Sequence, residues 1–420
     1  MEYELGELLP YEQPTEYIVE STDYDDSYKT PVLTAGKSFI IGYTNETKGI
    51  YTKLPVIIFD DFTTSSKYVD FPFKVKSSAM KILSVNSEIA DLKYLFYKMQ
   101  TIQFDSANHK RYWISEYSKI KLDLPTLTEQ QRIVNRIETM FAKLDEAKEK
   151  AQNVVDNFET RKAAILHKAF TGELTANWRK ANEVEKNEEL ESIYSFVQSL
   201  PKKDITNIEE FQKRASDYIL SDGTLWKKCF IGAIGIVTNG STPSRKEPAF
   251  WNGDIPWVSS GEVSNNIIEA TNECITEEGY NNSSVKKLPI GTVLIAMIGE
   301  GKTRGQTSVL NIEATTNQNI AAIVINHGHV EPKFLWYWLQ KEYKKNRTAG
   351  SGSGPQALNC QRVRELPFIL PTLTEQQEIV RILDSVLEKE TCAKEAAQTV
   401  LEQIALLKKS ILARAFRGEL

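Results

Sequence analysis

The chain has 420 residues, 41% of them hydrophobic and 25% charged, with a net charge of -5 at neutral pH. That length holds two or three domains with ample material for their cores, and the mild acidity confines any nucleic-acid binding to local basic patches. The four scattered cysteines exclude a disulfide frame or zinc site, and neither a secretory start nor an apolar membrane span is present, so the expectation is a cytoplasmic protein with no membrane partner and no metal.

In chain order, residues 1–123 read as a β-rich domain. Leu54–Phe59 (LPVIIF) is an apolar strand, Phe73–Leu83 is strand-like, and Leu92–Met99 (LKYLFYKM) is an aromatic-rich helix. Residues 124–174 open on LPTLTEQQ and carry apolar positions in steps of four and three: Ile133, Ile137, Met140, Leu144, Ala147, Ala151, Val154 and Phe158. That 3.5-residue period is a coiled-coil seam, on a helix of about 40 residues and roughly 60 Å. Thr128 with Gln131 has capping-box spacing, and Gly172 stands where the helix would be released. Residues 175–222 form a charged, helix-prone connector.

The second half repeats the plan. Residues 223–369 carry Leu288–Met297 (LPIGTVLIAM) and Gln318–Val324 as strands, then Pro332–Tyr343 as an aromatic helix. Residues 370–420 open on LPTLTEQQ again and match the first copy at a constant offset, about half of the positions being identical. The seam recurs as Ile379, Leu383, Val386, Glu390, Ala393, Ala397, Val400 and Ile404, with Glu390 a polar exception able to set register, Thr374 the matching cap and Gly418 the matching release. Two matched seams in one chain are most simply buried against each other. The expected fold is therefore α+β: two β-rich domains separated by two long antiparallel coiled-coil helices, with a pseudo-twofold internal repeat.

Polar loops with Gly, Ser, Thr, Asn and basic residues suit phosphates and base edges. In the first domain the candidates for reading bases are Asn45, Lys67, Ser78, Lys110, Arg111 and Tyr112; in the second they are Arg245, Arg304, Asn317, Gln318 and Gln356, with Ser241 and Thr242 as further DNA-binding candidates. Lys48, Lys76, Lys246 and Lys302 are assigned to phosphate positioning. Catalytic motifs fail. GEGKT lacks the P-loop glycine, which is Ala296, and DFPF (Asp70–Phe73) lacks the second proline of an amino-methyltransferase motif. Asp60 and Asp61 read as an exposed acidic turn.

With both LPTLTEQQ entries, the helix ends KAFTGEL and RAFRGEL, the opening WKKCFIGAIGIVTNGSTPSR (Trp226–Arg245) and GEGKTRGQT followed by TTNQNIAAI, the chain resembles specificity subunits of type I restriction–modification systems (the HsdS family). The resemblance implies a non-catalytic subunit whose two target recognition domains read the halves of a split, asymmetric double-stranded DNA site. It implies docking of two modification subunits and of restriction subunits, with S-adenosylmethionine, ATP and Mg on those partners and no cofactor in this chain. The alternatives are an orphan specificity subunit serving methylation only, a stand-alone DNA-modifying enzyme, and a coiled-coil interaction protein; the last gives no reason for paired polar-basic loops.

Overall fold

The computed structural model describes residues 2–34, 36, 38–104, 111–182, 193–195, 197–198, 213, 215–299, 301–325, 328–348 and 358–420. They divide into two compact units, Met1–Val155 with Glu395–Leu420, and Asp156–Lys394. The division cuts through the long helices, so each unit owns one β-rich domain and a stretch of both helices.

In the first unit, the apolar run predicted as a strand becomes Val56–Asp60, at the centre of a four-stranded sheet in the order Tyr11–Glu12, Met80–Leu83, Val56–Asp60, Ser66–Val69. A three-stranded sheet orders Ile40–Thr44, Thr30–Leu33 and Lys74–Val75. The stretch Phe73–Leu83 is thus two strands with a loop between them, and each half joins a different sheet. In the second unit the equivalent strand is Val293–Ala296, central in a five-stranded sheet of Gly235–Asn239, Ile320–Ile325, Val293–Ala296, Thr307–Leu310 and Ile267–Ile268. Glu273–Ile275, Trp251–Val258 and Thr315–Thr316 form a second sheet. Four-residue runs buried at every position, as in Val293–Ala296, explain why these strands read as continuous apolar stretches and not as alternations.

The helices are where the duplication is most exact in its chemistry. Leu92–Met99 and Pro332–Lys341 each lie beside the start of a long helix, Leu127–Asp156 or Leu373–Ala415. The octamer supplies the clamp. Gln130 and Gln376 are fully buried. Gln130 Nε2 donates to the Pro125 carbonyl (2.9 Å) and the Ile89 carbonyl (3.4 Å), while its Oε1 accepts the Asp91 N–H (2.8 Å). Gln376 Nε2 donates to the Pro371 carbonyl (3.0 Å) and the His329 carbonyl (3.1 Å), and its Oε1 accepts the Glu331 N–H (2.9 Å). Asp91 and Glu331 are the N-caps of the aromatic helices, so one glutamine satisfies an orphan helix donor and two loop carbonyls at once. About two turns further along each long helix, Lys93 pairs with Glu138 (2.5 Å) and Lys333 with Asp384 (2.8 Å), Tyr337 adding its own hydrogen bond to Asp384 (2.6 Å).

The caps differ from the sequence expectation. Thr126 Oγ1 accepts the Glu129 N–H and Thr372 Oγ1 accepts the Glu375 N–H, each at 3.4 Å, while Thr128 and Thr374 lie inside the first turn. The proline before each of these threonines holds an extended entry, so the first threonine takes the cap position and T-x-x-E replaces T-x-x-Q. Gly172 and Gly418 do release their helices at positive φ (78° in both), with Leu174 N–H returning to the Lys168 carbonyl and Glu419 N–H to that of Arg414.

Within each unit the helix stretches run antiparallel. In the first, Ile137 clusters with Leu412 and Ala415, and further along Asp145 pairs with Lys408 (2.6 Å). In the second, Lys394 lies over the Phe158 ring, and further along Arg161 pairs with Glu390 (2.7 Å). Glu390, the polar residue in the predicted seam, is therefore a paired, half-buried register point. The seam itself is incomplete: Ala393 and Val400 are exposed, because straight α-helices drift by about 20° per heptad from a 3.5-residue repeat. The first helix is also interrupted, ending at Asp156 and restarting at Phe158. Its interruption is at Asn157, a residue whose side chain competes for backbone groups; the matching position in the unbroken copy is Gln403, a better helix former.

Part of the connector also differs from the helical expectation. Ser216–Ile219 is a strand, paired antiparallel with Leu225–Phe230, which in turn pairs with Pro367–Leu370. The Asp222-Gly223 turn, with Gly223 at φ 83°, is a hairpin signal. Arg179 closes this corner, donating to Glu375 Oε1 (2.6 Å) and Asp222 Oδ2 (2.5 Å), while Trp226 Nε1 donates to Glu375 Oε2 (2.9 Å).

Candidate nucleic-acid interface

In the second unit, four of the predicted residues come together around one loop. Ser241 N–H donates to the Thr316 carbonyl, which brings the loop from 240 to 246 against the strand Thr315–Thr316. Gly240 lies so close to that carbonyl that an added Cβ would sit 1.8 Å from it, so only glycine allows the approach. Thr242 Oγ1 donates to Gln318 Oε1 (2.6 Å), which fixes the carbonyl of this exposed side chain. Arg245 forks onto Glu273, Nη1 to Oε1 at 2.5 Å and Nη2 to Oε2 at 2.9 Å, with its guanidinium carbon 3.6 Å from the Trp251 ring centroid and 5.0 Å from that of Trp257. The hydrogen bond from Arg245 holds the Glu273 carboxyl below the usual carboxylate range.

The same two indoles tether the loop backbone. Trp257 Nε1 donates to the Ser241 carbonyl (3.0 Å) and Trp251 Nε1 to the Ser244 carbonyl (3.2 Å). Trp251, Trp257 and Glu273 were not singled out from the sequence. Lys246 is exposed beside Arg245. Lys302 and Arg304 sit on a turn held from behind: Tyr343 Oη donates to the Lys302 carbonyl (2.7 Å) and Arg347 Nη1 to the Arg304 carbonyl (3.3 Å). Lys302 is exposed and Arg304 half-buried. Asn317 departs from the expectation of a base reader. It is 7% exposed and its Oδ1 accepts the Asn319 N–H, so its amide shapes the turn that presents Gln318. Gln356 lies outside the described residues.

The first unit arranges its candidates around two buried charges. Lys74, 3% exposed, bonds the Lys48 carbonyl (2.8 Å) and Glu46 (2.7 Å), fixing the loop that carries the exposed Asn45 and Lys48. Burial would raise the Glu46 carboxyl, but hydrogen bonds from Lys74 and from the Ser21 and Glu20 N–H groups more than offset it and hold it low. Asp61 is not an exposed acidic turn. It is 1% exposed, with Oδ2 3.3 Å from the fully buried Lys81 and Oδ1 accepting the Trp113 N–H (2.8 Å). Its backbone N–H donates to the Ala79 carbonyl and its carbonyl accepts the Tyr112 N–H, so it ties the exposed Lys76 and Ser78 loop to the segment that begins at Arg111. Lys67 is half-buried on the strand Ser66–Val69 and Arg111 is exposed. Tyr112 departs from the expectation: at 1% exposure its ring packs against Phe104 and cannot reach a base edge. Lys110 lies outside the described residues.

Among the described residues, no group of three or more His, Cys, Asp or Glu is placed to hold a metal ion, and no helix is long and apolar enough to cross a membrane. What the loops offer chemically is fixed hydrogen-bond donors and acceptors on rigid β-scaffolds.

Comparison with known proteins gives the same architecture. The family model of the type I restriction modification DNA specificity domain matches residues 1–156 and again 223–403. The chain is 35% identical over 394 residues to the EcoR124I/EcoR124II specificity subunit of Escherichia coli, covering 90% of this chain and 85% of that one. It is 31% identical over 191 residues to the MjaIX specificity subunit of Methanocaldococcus jannaschii, 43% of this chain and 42% of that one. Two solved structures share the fold. The HsdS subunit from Thermoanaerobacter tengcongensis has a TM-score of 0.58 at 17% identity, covering 100% of this chain and 97% of that one. A chain from a structural study of complex assembly and conformational transition of the type I R-M system has a TM-score of 0.62 at 16% identity, covering 100% and 98%.

Proposed function

Because the chain belongs to the type I restriction modification DNA specificity family, we propose that it is the sequence-recognition subunit of a type I restriction–modification complex. Each unit reads one half of a split, asymmetric double-stranded DNA site with its own loops. The long helices dock two modification subunits, which bring S-adenosylmethionine, and restriction subunits join with ATP and Mg. The chain itself carries out no bond-making or bond-breaking step.

The observation that supports this reading best is duplication with divergence. The clamp around Gln130 recurs around Gln376 with the same three kinds of partner, whereas the loops differ completely: Asp61–Lys81 organises one set and Arg245–Glu273 with two tryptophans the other. Conserving the scaffold while changing the loops is what two modules reading different sequences require. Phosphate contacts from Lys48, Lys76, Lys246 and Lys302 would set position, and side chains such as Arg245 and Gln318 would discriminate bases. The test is to express the full chain with its modification subunits and map methylated adenines across the host genome. A split motif with a fixed gap is expected. Methyl transfer by the isolated chain, or methylation without any split motif, refutes the proposal.

A further inference from the structure

We infer that Glu273 and Trp251 are positioning residues that aim Arg245 at one guanine, so the half-site read by the second unit contains a G·C pair selected by this arginine. The inference rests on the proposed function and deepens it.

A guanidinium has five N–H donors in a fixed fork. Glu273 takes one from Nη1 and one from Nη2, an end-on arrangement. That leaves Nε–H and the neighbouring Nη N–H as a parallel pair along the side edge, and these have no acceptor among the described residues. Two parallel donors match the O6 and N7 acceptors of guanine in the major groove and no other base edge there. The side chain is 52% exposed, so the edge is open to a ligand. Trp251 fixes the plane, since a ring 3.6 Å away permits sliding but opposes tilting. The loop cannot swing, because both indole N–H groups hold its carbonyls at Ser241 and Ser244. Rotation about the long arginine side chain, the usual entropic loss on binding, is thus removed beforehand.

The pairing also has an electrostatic consequence. Arg245 and Glu273 together carry no net charge, so the pair adds little to the attraction for phosphates shared by all DNA. Its contribution falls on sequence discrimination, and the two can be measured apart.

The experiment uses the full chain assembled with its modification subunits. Binding is titrated over a range of salt against the duplex that carries the mapped motif, duplexes with each base pair of that motif replaced, and a random duplex. Arg245→Ala and Arg245→Lys are expected to lose discrimination at one G·C pair of one half-site by on the order of 10- to 100-fold, with the other half-site and the gap unchanged. Arg245→Ala leaves the Glu273 carboxylate uncompensated, so its salt slope on random DNA should be no steeper than that of the wild type. Glu273→Gln should lose discrimination at the same base pair, with partial rescue by Glu273→Asp. It should also steepen the salt slope by about one phosphate contact, because an unneutralised cation is released. The lysine variant keeps the charge and the stem, so it reports on the fork even if the alanine variant folds poorly. A wild-type assembly without a split motif refutes the proposed function and this inference together. With the motif intact, the inference alone is overturned by any of three results: no single position affected in Arg245→Lys, all positions weakened alike, or discrimination at the guanine retained in Glu273→Gln.

Discussion

Replacing Gln376 with leucine tests whether the octamer is a clamp and not merely a helix start. The substitution keeps the volume roughly constant and removes three hydrogen bonds, leaving the Glu331 N–H and the Pro371 carbonyl without the partners they have in a site that is 0% exposed. Each buried group left unsatisfied costs about 1–3 kcal/mol, and the added apolar burial returns about 1 kcal/mol, so a net loss of about 3 kcal/mol is expected. For a unit of this size that corresponds to a melting temperature lower by about 6–12 °C. The neighbouring Gln377 is exposed, so Gln377→Leu is the control and should stay within about 0.5 kcal/mol. Six of the seven tryptophans lie between residues 178 and 338, inside the second unit, so thermal unfolding followed by tryptophan emission reports on the unit that is perturbed. If Gln376→Leu unfolds no earlier than Gln377→Leu, the buried hydrogen bonds are not what holds the aromatic helix to the long one, and the explanation of the repeat falls.

Helix capping separates the two threonines of each octamer: Thr126→Ala and Thr372→Ala should each cost about 1 kcal/mol in denaturant midpoints, and Thr128→Ala and Thr374→Ala only a few tenths. The reverse order would place the caps two residues later. Asp61→Asn should destabilise the first unit by about 3–5 kcal/mol by stranding the buried Lys81, and Asp61→Asn with Lys81→Met should recover part of that loss; near-ultraviolet spectra of Trp113, the tryptophan of that unit, report it. The hydrogen bond from Arg179 pushes Asp222 down to about 2. A carboxylate depressed in the folded state stabilises above its unfolded value of about 4, and the contribution fades as the pH falls from there towards 2. The urea midpoint of the wild type should therefore drop more steeply over that window than that of Asp222→Asn, and parallel curves would remove Asp222 from the corner it shares with Arg179.

Much of the scaffold was legible because it depends on periodicity and repetition, which are properties of residue order. The apolar runs at Leu54–Phe59 and Leu288–Met297 lie on buried central strands, the aromatic helices at 92 and 332 start at the residues their pattern indicated, and two copies of one octamer lead into two long helices. The strand at Ser216–Ile219 was missed because the charged residues around it outweighed a short Asp-Gly hairpin signal. The exposed Ala393 and Val400 were misplaced because a 3.5-residue repeat was extrapolated past the drift of real helices.

The candidate interface divides along a different line. Residue type identified Arg245, Gln318, Lys246 and Lys302 as groups suited to DNA, since donors, acceptors and charge belong to the side chain itself. Which of them are presented depends on contacts between residues far apart in sequence. Asn317 and Tyr112 have suitable chemistry but are buried, whereas Glu273 and the two tryptophans, unremarkable in the sequence, hold Arg245 and its loop in place. By itself the sequence determined that the protein is a duplicated scaffold with two different sets of loops, because local patterning and repetition need no partner to be read. The tertiary structure decided which side chains point outward, with what orientation and in whose grip, because burial and hydrogen bonding arise only when separate strands and loops are brought within a few ångströms.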